Sequence, residues 1–404
     1  MAANKRIKAF WATPERISFN LDITQATKFQ LLSKHIEPHV LVWSDNWRPK
    51  IKQIDSTYFY LLPSVKRWLP FPLLVLYPVI FYPFLFYLIA RKRFDVVLVR
   101  PGLEGAACAL IKRVSKLLGL DFGLLVEAFG DWIEVASIQQ NRLIKPFYRY
   151  MLKAISKFSI FSADMLRAES SSTMEKMREF APAIPFSIFP RVHLELFLDL
   201  KAESEAKKPE GFNILYVGEL IKFKGIHHLI SAFKNVIAGY PKASLAILGE
   251  GNYRAELRKM AEQMDILGSI EFTSYLPPGK VKERMLNSDL LVLPSMTEGL
   301  PRVIIEAMAV GLPVVATDVG SVKELVIDNQ NGYLIKPNDV DSLTKAILTL
   351  VGDRDKAIKM GLESRKIIQR AGDLFTMEGY AQRYIDTIQT VYKIARERKT
   401  NKAF

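Results

Sequence analysis

Short segments rich in apolar residues recur along this chain and are separated by segments with a helical period. Such runs predict strands that are buried on both faces, as in a parallel sheet. In the first half of the chain they are 7–12, 39–44, 57–62, 94–100 and 123–129. In the second half they lie near 213–217, 244–248, 270–274, 289–294 and 313–317. Two α/β domains with right-handed crossovers are therefore predicted.

The polar segment 200–211 separates the two halves. It is rich in charged residues, contains a proline and ends in a glycine, which is typical of a linker. We therefore predict a first domain over 1–199 and a second over 212–373. Residues 374–404 form a closing helix and tail.

The segment from Glu298 to Glu306 places a carboxylate where burial disfavours one. It follows the apolar run 289–294, and the helical positions 303–310 are apolar except for Glu306. An unpaired buried charge costs several kcal/mol, roughly. Glu306 therefore either binds a ligand, or faces water or caps a neighbouring backbone.

The residues between these two glutamates favour the ligand. Gly299 permits a tight turn, and Pro301 suits the start of a helix. Free N–H groups and the helix dipole make such a start a site for a diphosphate. Glu306 lies deeper than Glu298, on the order of 7 Å along the helix axis. The pair suits a nucleotide-sugar, with Glu298 towards the sugar and Glu306 towards the ribose.

Residues 212–345 resemble the retaining, family-4 (group 1) glycosyltransferases of the GT-B fold. The Glu-x7-Glu motif of that family is matched by Glu298 and Glu306, and further matches lie at 248–251, 307–320, 324–326 and 332–335. The resemblance implies two doubly wound, Rossmann-like domains facing across a cleft, with the closing helix crossing back onto the first. It implies a nucleotide-sugar donor as substrate, and neither a metal nor a cofactor.

The resemblance also assigns site residues. Lys224 and Glu298 are the expected catalytic pair, with Lys224 stabilising the departing diphosphate. The positions expected to line the donor are Gly218, Lys222, Gly249, Gly299, Leu300 and Glu306. Glu219 stands where the family has an arginine. Either Glu219 turns away and Lys222 or Arg302 supplies the second charge, or activity is weakened. Both lysines could instead be solvated turn residues.

The first domain is less similar to the family, so its candidate site residues are inferred from the predicted topology of its sheet. Ligands of doubly wound sheets bind beyond the carboxyl ends of the strands. This rule nominates Arg100, Glu127 and Asp131 as acceptor-side residues. Each could equally be a capping or structural polar group.

Residues 68–90 contain no charge and are long enough to span a bilayer. Four prolines interrupt them, however, and a span would put strands of one sheet on opposite sides of the membrane. We therefore predict a buried or membrane-docking helix pair.

A predicted helix near 142–157 carries cations at every third or fourth position, and apolar residues fill much of its remainder. The cations are Arg142, Lys145, Arg149, Lys153 and Lys157. A basic amphipathic helix favours anionic headgroups, although a solvated face of an ordinary helix has the same pattern. The net charge of +14 agrees with such a surface. It would also suit nucleic acid, but no nucleic-acid motif is present.

Composition bears on the number of domains and on the presence of disulfides or a metal site. The 404 residues suffice for two cores, and the single cysteine, Cys108, excludes a disulfide framework. The five histidines are scattered, and Asp339 with Asp341 fits a helix cap better than a metal site.

We therefore predict a retaining, metal-independent glycosyltransferase, cytoplasmic and peripheral to the inner face of the membrane. Its predicted acceptor is a lipid-linked or cell-envelope glycan. The alternatives are a nucleotide-sugar epimerase of GT-B fold and a membrane-associated partner protein with a decayed donor site.

Overall fold

The computed structural model describes residues 6–15, 23–44, 50–63, 77–133, 145–192, 194–199 and 211–400. The chain divides into two compact units, Met1–Pro190 with Met377–Phe404, and Arg191–Thr376. The second unit thus begins before the predicted linker, because Val192, Leu194 and Phe197 are buried in its core.

The first unit contains eight strands and six helices within the described residues. Its strands are β1 Ile7–Glu15, β2 Ile36–Ser44, β3 Lys50–Ile54, β4 Thr57–Pro63, β5 Val96–Val99, β6 Gly123–Ala128, β7 Met165–Ala168 and β8 Phe186–Ile188. Its helices are α1 Ile23–Ser33, α2 Tyr77–Lys92, α3 Leu103–Leu117, α4 Lys145–Phe161, α5 Ser171–Arg178 and, at the end of the chain, α14 Met377–Thr400.

These strands form one sheet in the order β3-β4-β2-β1-β5-β6-β7-β8. Only β3 runs antiparallel to its neighbour. Strands β5 and β6 are buried at every position, which matches their near-continuous apolar sequence. The predicted doubly wound α/β class is confirmed for this unit.

Helix α14 is held on the first unit by a partly buried cluster of charged groups. Arg398 donates from Nε and Nη2 to the two carboxylate oxygens of Asp121, each at 2.9 Å, and from Nη1 to Asp164. Lys112 pairs with the same Asp164 at 2.8 Å. The last turns of the chain are therefore anchored to residues more than two hundred positions earlier.

The described part of the apolar segment 68–90 is one helix. Helix α2 begins at Tyr77, and residues 64–76, where the other half of the predicted pair falls, lie outside the described residues. Pro83 lies inside α2, so this proline does not end the helix as predicted, although it has no backbone N–H to donate. Among the described helices, none has the length and apolarity that a bilayer crossing requires.

The second unit contains six strands and eight α-helices within the described residues. Its strands are β9 Phe212–Val217, β10 Ala243–Leu248, β11 Ile270–Thr273, β12 Leu290–Leu293, β13 Val314–Thr317 and β14 Gly332–Ile335. Its helices are α6 Glu195–Leu198, α7 Ile226–Gly239, α8 Arg254–Gln263, α9 Pro278–Leu286, α10 Arg302–Val310, α11 Val322–Leu325, α12 Val340–Gly352 and α13 Arg354–Arg370.

All six strands are parallel, in the order β11-β10-β9-β12-β13-β14. The order reverses between β9 and β12, and the carboxyl ends of these two strands therefore flank the crevice where ligands of this fold class bind. The segment that contains Lys224 follows β9, and the segment that contains Glu298 follows β12.

Candidate active site

Two loops meet at the carboxyl ends of β9 and β12. The amide of Met296 donates to the carbonyl of Phe223 at 2.8 Å. Gly225 has φ of 64°, and a Cβ on it would lie 2.0 Å from the carbonyl oxygen of Pro294. Only glycine permits this approach of one backbone to the other. The short helical turn Lys222–Lys224 is thereby held against the loop that begins at Pro294.

Lys224 and Glu298 form an ion pair in this site. Lys224 Nζ lies 2.7 Å from Glu298 Oε1, and the carboxylate side chain is 9% exposed. Ser295 Oγ donates to the same Oε1 at 2.6 Å, and Thr317 Oγ1 donates to the carbonyl of Ser295. Because both bonds use Oε1, Oε2 receives none of them and remains available to a ligand hydroxyl.

Glu306 lies in the second turn of α10, half-buried between the buried residues Ile305 and Ala307. Burial raises the pKa of this carboxyl, and the nearby Arg302 opposes the effect. Within the described residues, no side chain or backbone group forms a hydrogen bond with the Glu306 side chain. The structure therefore keeps a poorly compensated carboxylate on an apolar helix, as the sequence pattern predicted.

The turn before α10 is fixed by its neighbours. The carbonyl of Gly299 accepts from the amide of Ser321 at 3.0 Å. Gly320 has φ of 57°, and a Cβ on it would lie 2.0 Å from the carbonyl oxygen of Glu298. Leu300 is half-buried, and α10 begins at Arg302, directly after Pro301. The first amides of a helix lack partners within it, so this turn presents donors suited to an anion.

Gly218 and Gly249 lie side by side at the ends of β9 and β10. A Cβ on Gly249, whose φ is 148°, would lie 1.9 Å from the carbonyl oxygen of Gly218. Lys222 is exposed on the neighbouring turn. Because neither glycine has a side chain, this wall of the site is formed by their backbone atoms alone.

Glu219, which replaces the expected arginine, is exposed. Its backbone carbonyl accepts a hydrogen bond from the buried Tyr216 hydroxyl at 3.1 Å. Burial, with the charges of Glu298 and Glu219, raises the pKa of Tyr216. The structure thus gives the Glu219 backbone a role in holding Tyr216, and both alternatives for its side chain stay predictions.

Sequence reasoning missed three residues that shape this site: Ser295, Tyr216 and Arg254. Arg254 donates to the carbonyl of Phe272 at 3.0 Å and to Ser274 Oγ at 3.1 Å, and so braces the end of β11. Only Ser295 carried a usable signal, since it is the first polar residue after a buried strand. Tyr216 bonds a carbonyl three residues on, and Arg254 bonds residues 18 and 20 positions on; neither contact follows from the apolar pattern.

The acceptor-side nominees of the first unit have different surroundings. Arg100 is exposed, with its guanidinium 5.2 Å from the Phe129 ring centre. Asp131 pairs with Lys176 at 2.8 Å. Glu127 is buried and accepts hydrogen bonds from Tyr384. The structure therefore gives Glu127 a structural role inside the unit and does not support its nomination as a cleft residue.

The predicted basic face falls on α4. Lys145 is half-buried, and Arg149, Lys153 and Lys157 are exposed; Arg142 lies outside the described residues. Exposed aromatic rings share this side of the helix, with Phe147 72% and Tyr150 75% exposed. Cations and aromatic rings therefore occur together on the solvent side of α4.

The described residues include no group of three or more histidine, cysteine, aspartate or glutamate side chains that could hold a metal ion. Asp339 caps α12, where its Oδ1 accepts from the amide of Ser342 at 2.9 Å. The predicted cap is confirmed.

Replacement of Gly225 by alanine is expected to destabilise the second unit by about 1–3 kcal/mol, because the new Cβ meets the Pro294 carbonyl at a positive φ. Gly279→Ala is the matched control, since no atom lies within 4 Å of its Cβ position. Urea unfolding of both variants measures the difference. Equal stability of the two variants would contradict the close approach of these loops.

Comparison with known proteins shows which families have sequences similar to the segment that forms this site. Residues 199–367 match the family model of the glycosyl transferases group 1. An uncharacterised glycosyltransferase of Haemophilus influenzae is 33% identical over 174 residues, 43% of this chain and 49% of that protein. A GDP-mannose-dependent phosphatidylinositol monomannoside mannosyltransferase of Mycolicibacterium smegmatis is 31% identical over 159 residues, 38% of this chain and 42% of that protein. The matches span about half or less of these curated relatives.

Solved structures extend the similarity to nearly the whole chain. Sucrose-phosphate synthase from Thermosynechococcus elongatus has a TM-score of 0.73 at 18% identity, over 96% of this chain and 100% of that one. Anabaena HepE, solved with UDP and glucose, has a TM-score of 0.69 at 15% identity, over 95% and 100%. The chain has the GT-B fold of glycosyltransferases. Within that class, the match to the group 1 family model falls inside its second unit.

Proposed function

We propose that this protein is a retaining glycosyltransferase that moves a sugar from a nucleotide-sugar donor to a lipid-linked or cell-envelope glycan. One observation carries the proposal: Lys224 and Glu298 pair at 2.7 Å at the strand-order reversal of the second unit, beside the start of α10. A cation, a carboxylate and free helix amides at one point match the diphosphate and the sugar of such a donor.

The donor diphosphate is held by the Lys224 ammonium and the backbone amides of Gly299 and Leu300. Lys222 and Arg302, both exposed, are the candidates for the second cation. These groups stabilise the negative charge that develops as the sugar leaves, without requiring a metal. Gly218 and Gly249 present backbone to the donor, because neither has a side chain.

The two glutamates bind opposite ends of the donor. Glu298 Oε2 accepts from the sugar hydroxyls, while Ser295 and Lys224 hold Oε1. Glu306 accepts from the ribose hydroxyls. The bond between the anomeric carbon and the phosphate oxygen breaks, and the acceptor oxygen bonds to that carbon on the same face. The acceptor proton passes to the departing phosphate oxygen, so Glu298 is not assigned as a nucleophile.

The acceptor and the location are inferred from the first unit. Cations and aromatic rings on α4 suit an anionic membrane surface, which favours a cytoplasmic protein bound to the inner face of the membrane. The name of the mannosyltransferase relative describes transfer to a phosphatidylinositol glycan. A lipid-linked acceptor agrees with both observations.

Saturation-transfer NMR against UDP-, GDP- and ADP-sugars tests the donor site. Selective binding of one donor by the wild type, lost in Glu306→Ala, supports the proposal and names the sugar for acceptor assays. A folded wild type that binds none of them would contradict it and favour a non-catalytic partner. Turnover of the donor without any acceptor would instead indicate an epimerase.

Glu306→Gln is expected to raise stability while it weakens donor binding. A raised folded-state pKa means that the ionised carboxylate destabilises the fold at every pH above the unfolded pKa of about 4. At pH 7 the variant should therefore melt about 2–4 °C higher for each kcal/mol by which its free energy of unfolding exceeds that of the wild type. Below about pH 4, where the wild-type carboxyl is protonated, the two proteins should melt at the same temperature. Thermal melts at both pH values measure this.

Donor binding has the opposite pH dependence. Ribose hydroxyls donate to the ionised carboxylate, so wild-type affinity should fall as acid protonates Glu306, and binding in mild acid should release protons. Calorimetry in two buffers of different ionisation enthalpy detects the release. If Glu306→Gln released as many protons as the wild type, Glu306 would not be the titrating group.

A further inference from the structure

Helix α3 exposes a ridge of large apolar side chains. Its members, which we call the leucine ridge, are Leu103 (46% exposed), Leu110 (57%), Val114 (40%) and Leu117 (87%). Spacings of seven, four and three residues place them in one narrow stripe that runs about 21 Å along the helix. Such a contiguous apolar stripe on a surface marks an interaction site.

The ridge is not needed for packing within the unit, because the remaining faces of α3 already supply the core. Gly105, Cys108 and Ile111 are buried. A Cβ on Gly105 would lie 2.9 Å from Ser159 of α4, so the two helices pack through small residues.

Exposed cations alternate with the ridge along α3 and occur on the neighbouring helix α4, and we call them the basic border. Arg113 and Lys116 are exposed on α3, and Lys153 and Lys157 are exposed on α4. The Arg113 guanidinium lies 4.6 Å from the ring centre of Phe158 on α4, which joins the two helices into one surface. The apolar ridge and its basic border together match an anionic bilayer, with acyl chains below charged headgroups.

Charge also distinguishes the bilayer from a second copy of this chain. A self-association would bring two basic borders together in a protein whose net charge is already +14. Like charges in contact oppose such an interface, while anionic lipid neutralises them.

We propose that the leucine ridge inserts into the headgroup and acyl boundary of an anionic bilayer, while the cations of α4 contact the headgroups. The inference rests on the membrane association in the proposed function and names the surface that inserts. It does not depend on the donor site of the second unit.

An environment-sensitive dye at the ridge tests the insertion directly. Cys108 is the single cysteine and is fully buried, so a thiol introduced by Leu117→Cys can be labelled selectively in the full chain. Vesicles of phosphatidylcholine with one quarter phosphatidylglycerol should shift the dye emission to the blue. Leu362→Cys on α13, 53% exposed in the wild type, is the control and should show no shift. Equal shifts at both positions, or none at position 117, would overturn the proposal.

Vesicle co-sedimentation measures the energetic contribution of the ridge. The double variant Leu110→Glu with Leu117→Glu should lower vesicle binding at least about tenfold, because two apolar side chains no longer leave water. Ile358→Glu with Leu362→Glu alters two similarly exposed apolar residues of α13 and should leave binding unchanged. Wild-type binding should also weaken, but persist in part, at high salt.

Two further measurements separate the alternatives. If the ridge variant bound vesicles normally and sedimented as a monomer where the wild type is a dimer, the ridge would be a self-association surface and the proposal would be wrong. Donor binding by NMR should be the same in the ridge variant and the wild type. Loss of donor binding in the wild type, with normal vesicle binding, would discredit the glycosyltransferase proposal and leave the ridge proposal standing.

Discussion

Replacement of Lys224 by methionine is expected to slow sugar transfer by about 100- to 1,000-fold. The ammonium is the cation that the structure holds at the strand-order reversal, on a turn fixed by Gly225. Methionine keeps the length of the side chain and removes the charge that stabilises the departing diphosphate. Initial rates with the donor identified by NMR measure the loss, which should fall mainly on kcat because the charge develops in the transition state.

Lys222→Met is the matched control for this experiment. Lys222 lies on the same short helical turn but is exposed, whereas Lys224 is the lysine that pairs with Glu298. A smaller loss, within about tenfold, is expected for this helper cation. If Lys224→Met retained the wild-type rate, or if both variants lost equally, Lys224 would not be the group that stabilises the leaving diphosphate.

The second large effect concerns stability. Glu127→Ala is expected to destabilise the first unit by about 3–5 kcal/mol, because it leaves the charge of Arg167 buried without its partner. Arg167 is fully buried, with Nη1 3.5 Å from Glu127 Oε2 and Nη2 2.8 Å from the carbonyl of Phe189. The Tyr384 hydroxyl donates to the same glutamate at 2.6 Å, so the substitution also loosens α14.

Hydrogen exchange followed by mass spectrometry can locate this effect. Protection of α14 and of β6 should decrease in Glu127→Ala, while the strands of the second unit keep theirs. Asp131→Ala, which breaks the more exposed pair with Lys176, is the matched control and should cost at most about 1 kcal/mol. Equal loss of protection in both variants would show that the buried Glu127–Arg167 pair stabilises the first unit no more than the exposed Asp131–Lys176 pair does.

Much of the second unit could be predicted from its sequence because local patterns and topology agree there. Five of its strands are short segments rich in apolar residues that alternate with helices, and each is paired in parallel with its neighbours. The Glu298 motif follows β12, and the lysine turn follows β9. Parallel strands bring their carboxyl ends to one edge of the sheet, which is why residues 74 positions apart in sequence could be expected to meet.

The strands that the apolar pattern did not predict are short or carry a charge. Strand β7 has four residues, and Arg167 interrupts its apolar sequence. That arginine is buried because Glu127 and four aromatic rings surround it. Two of these rings, Tyr380 and Tyr384, lie on α14, more than two hundred residues later in the chain. A buried charge of this kind depends on tertiary partners, which local patterns do not contain.

The nomination of Glu127 failed for the same reason. The carboxyl end of a strand is where ligands bind in this fold class, but the rule does not say which polar side chains there are already used by the protein. The leucine ridge was also missed, because exposed and buried leucines of α3 cannot be separated until the position of α4 is known.

The membership of α14 in the first unit has a consequence for synthesis of the protein. Residues 191–376 interrupt the first unit in the chain, so a ribosome delivers all of the second unit before the helix that carries Tyr384 and Arg398. The second unit can fold while the first still lacks its closing helix. Until Arg398 reaches Asp121, the aromatic and charged groups that α14 covers stay uncovered on the nascent chain, and that interval is when it most needs protection from aggregation.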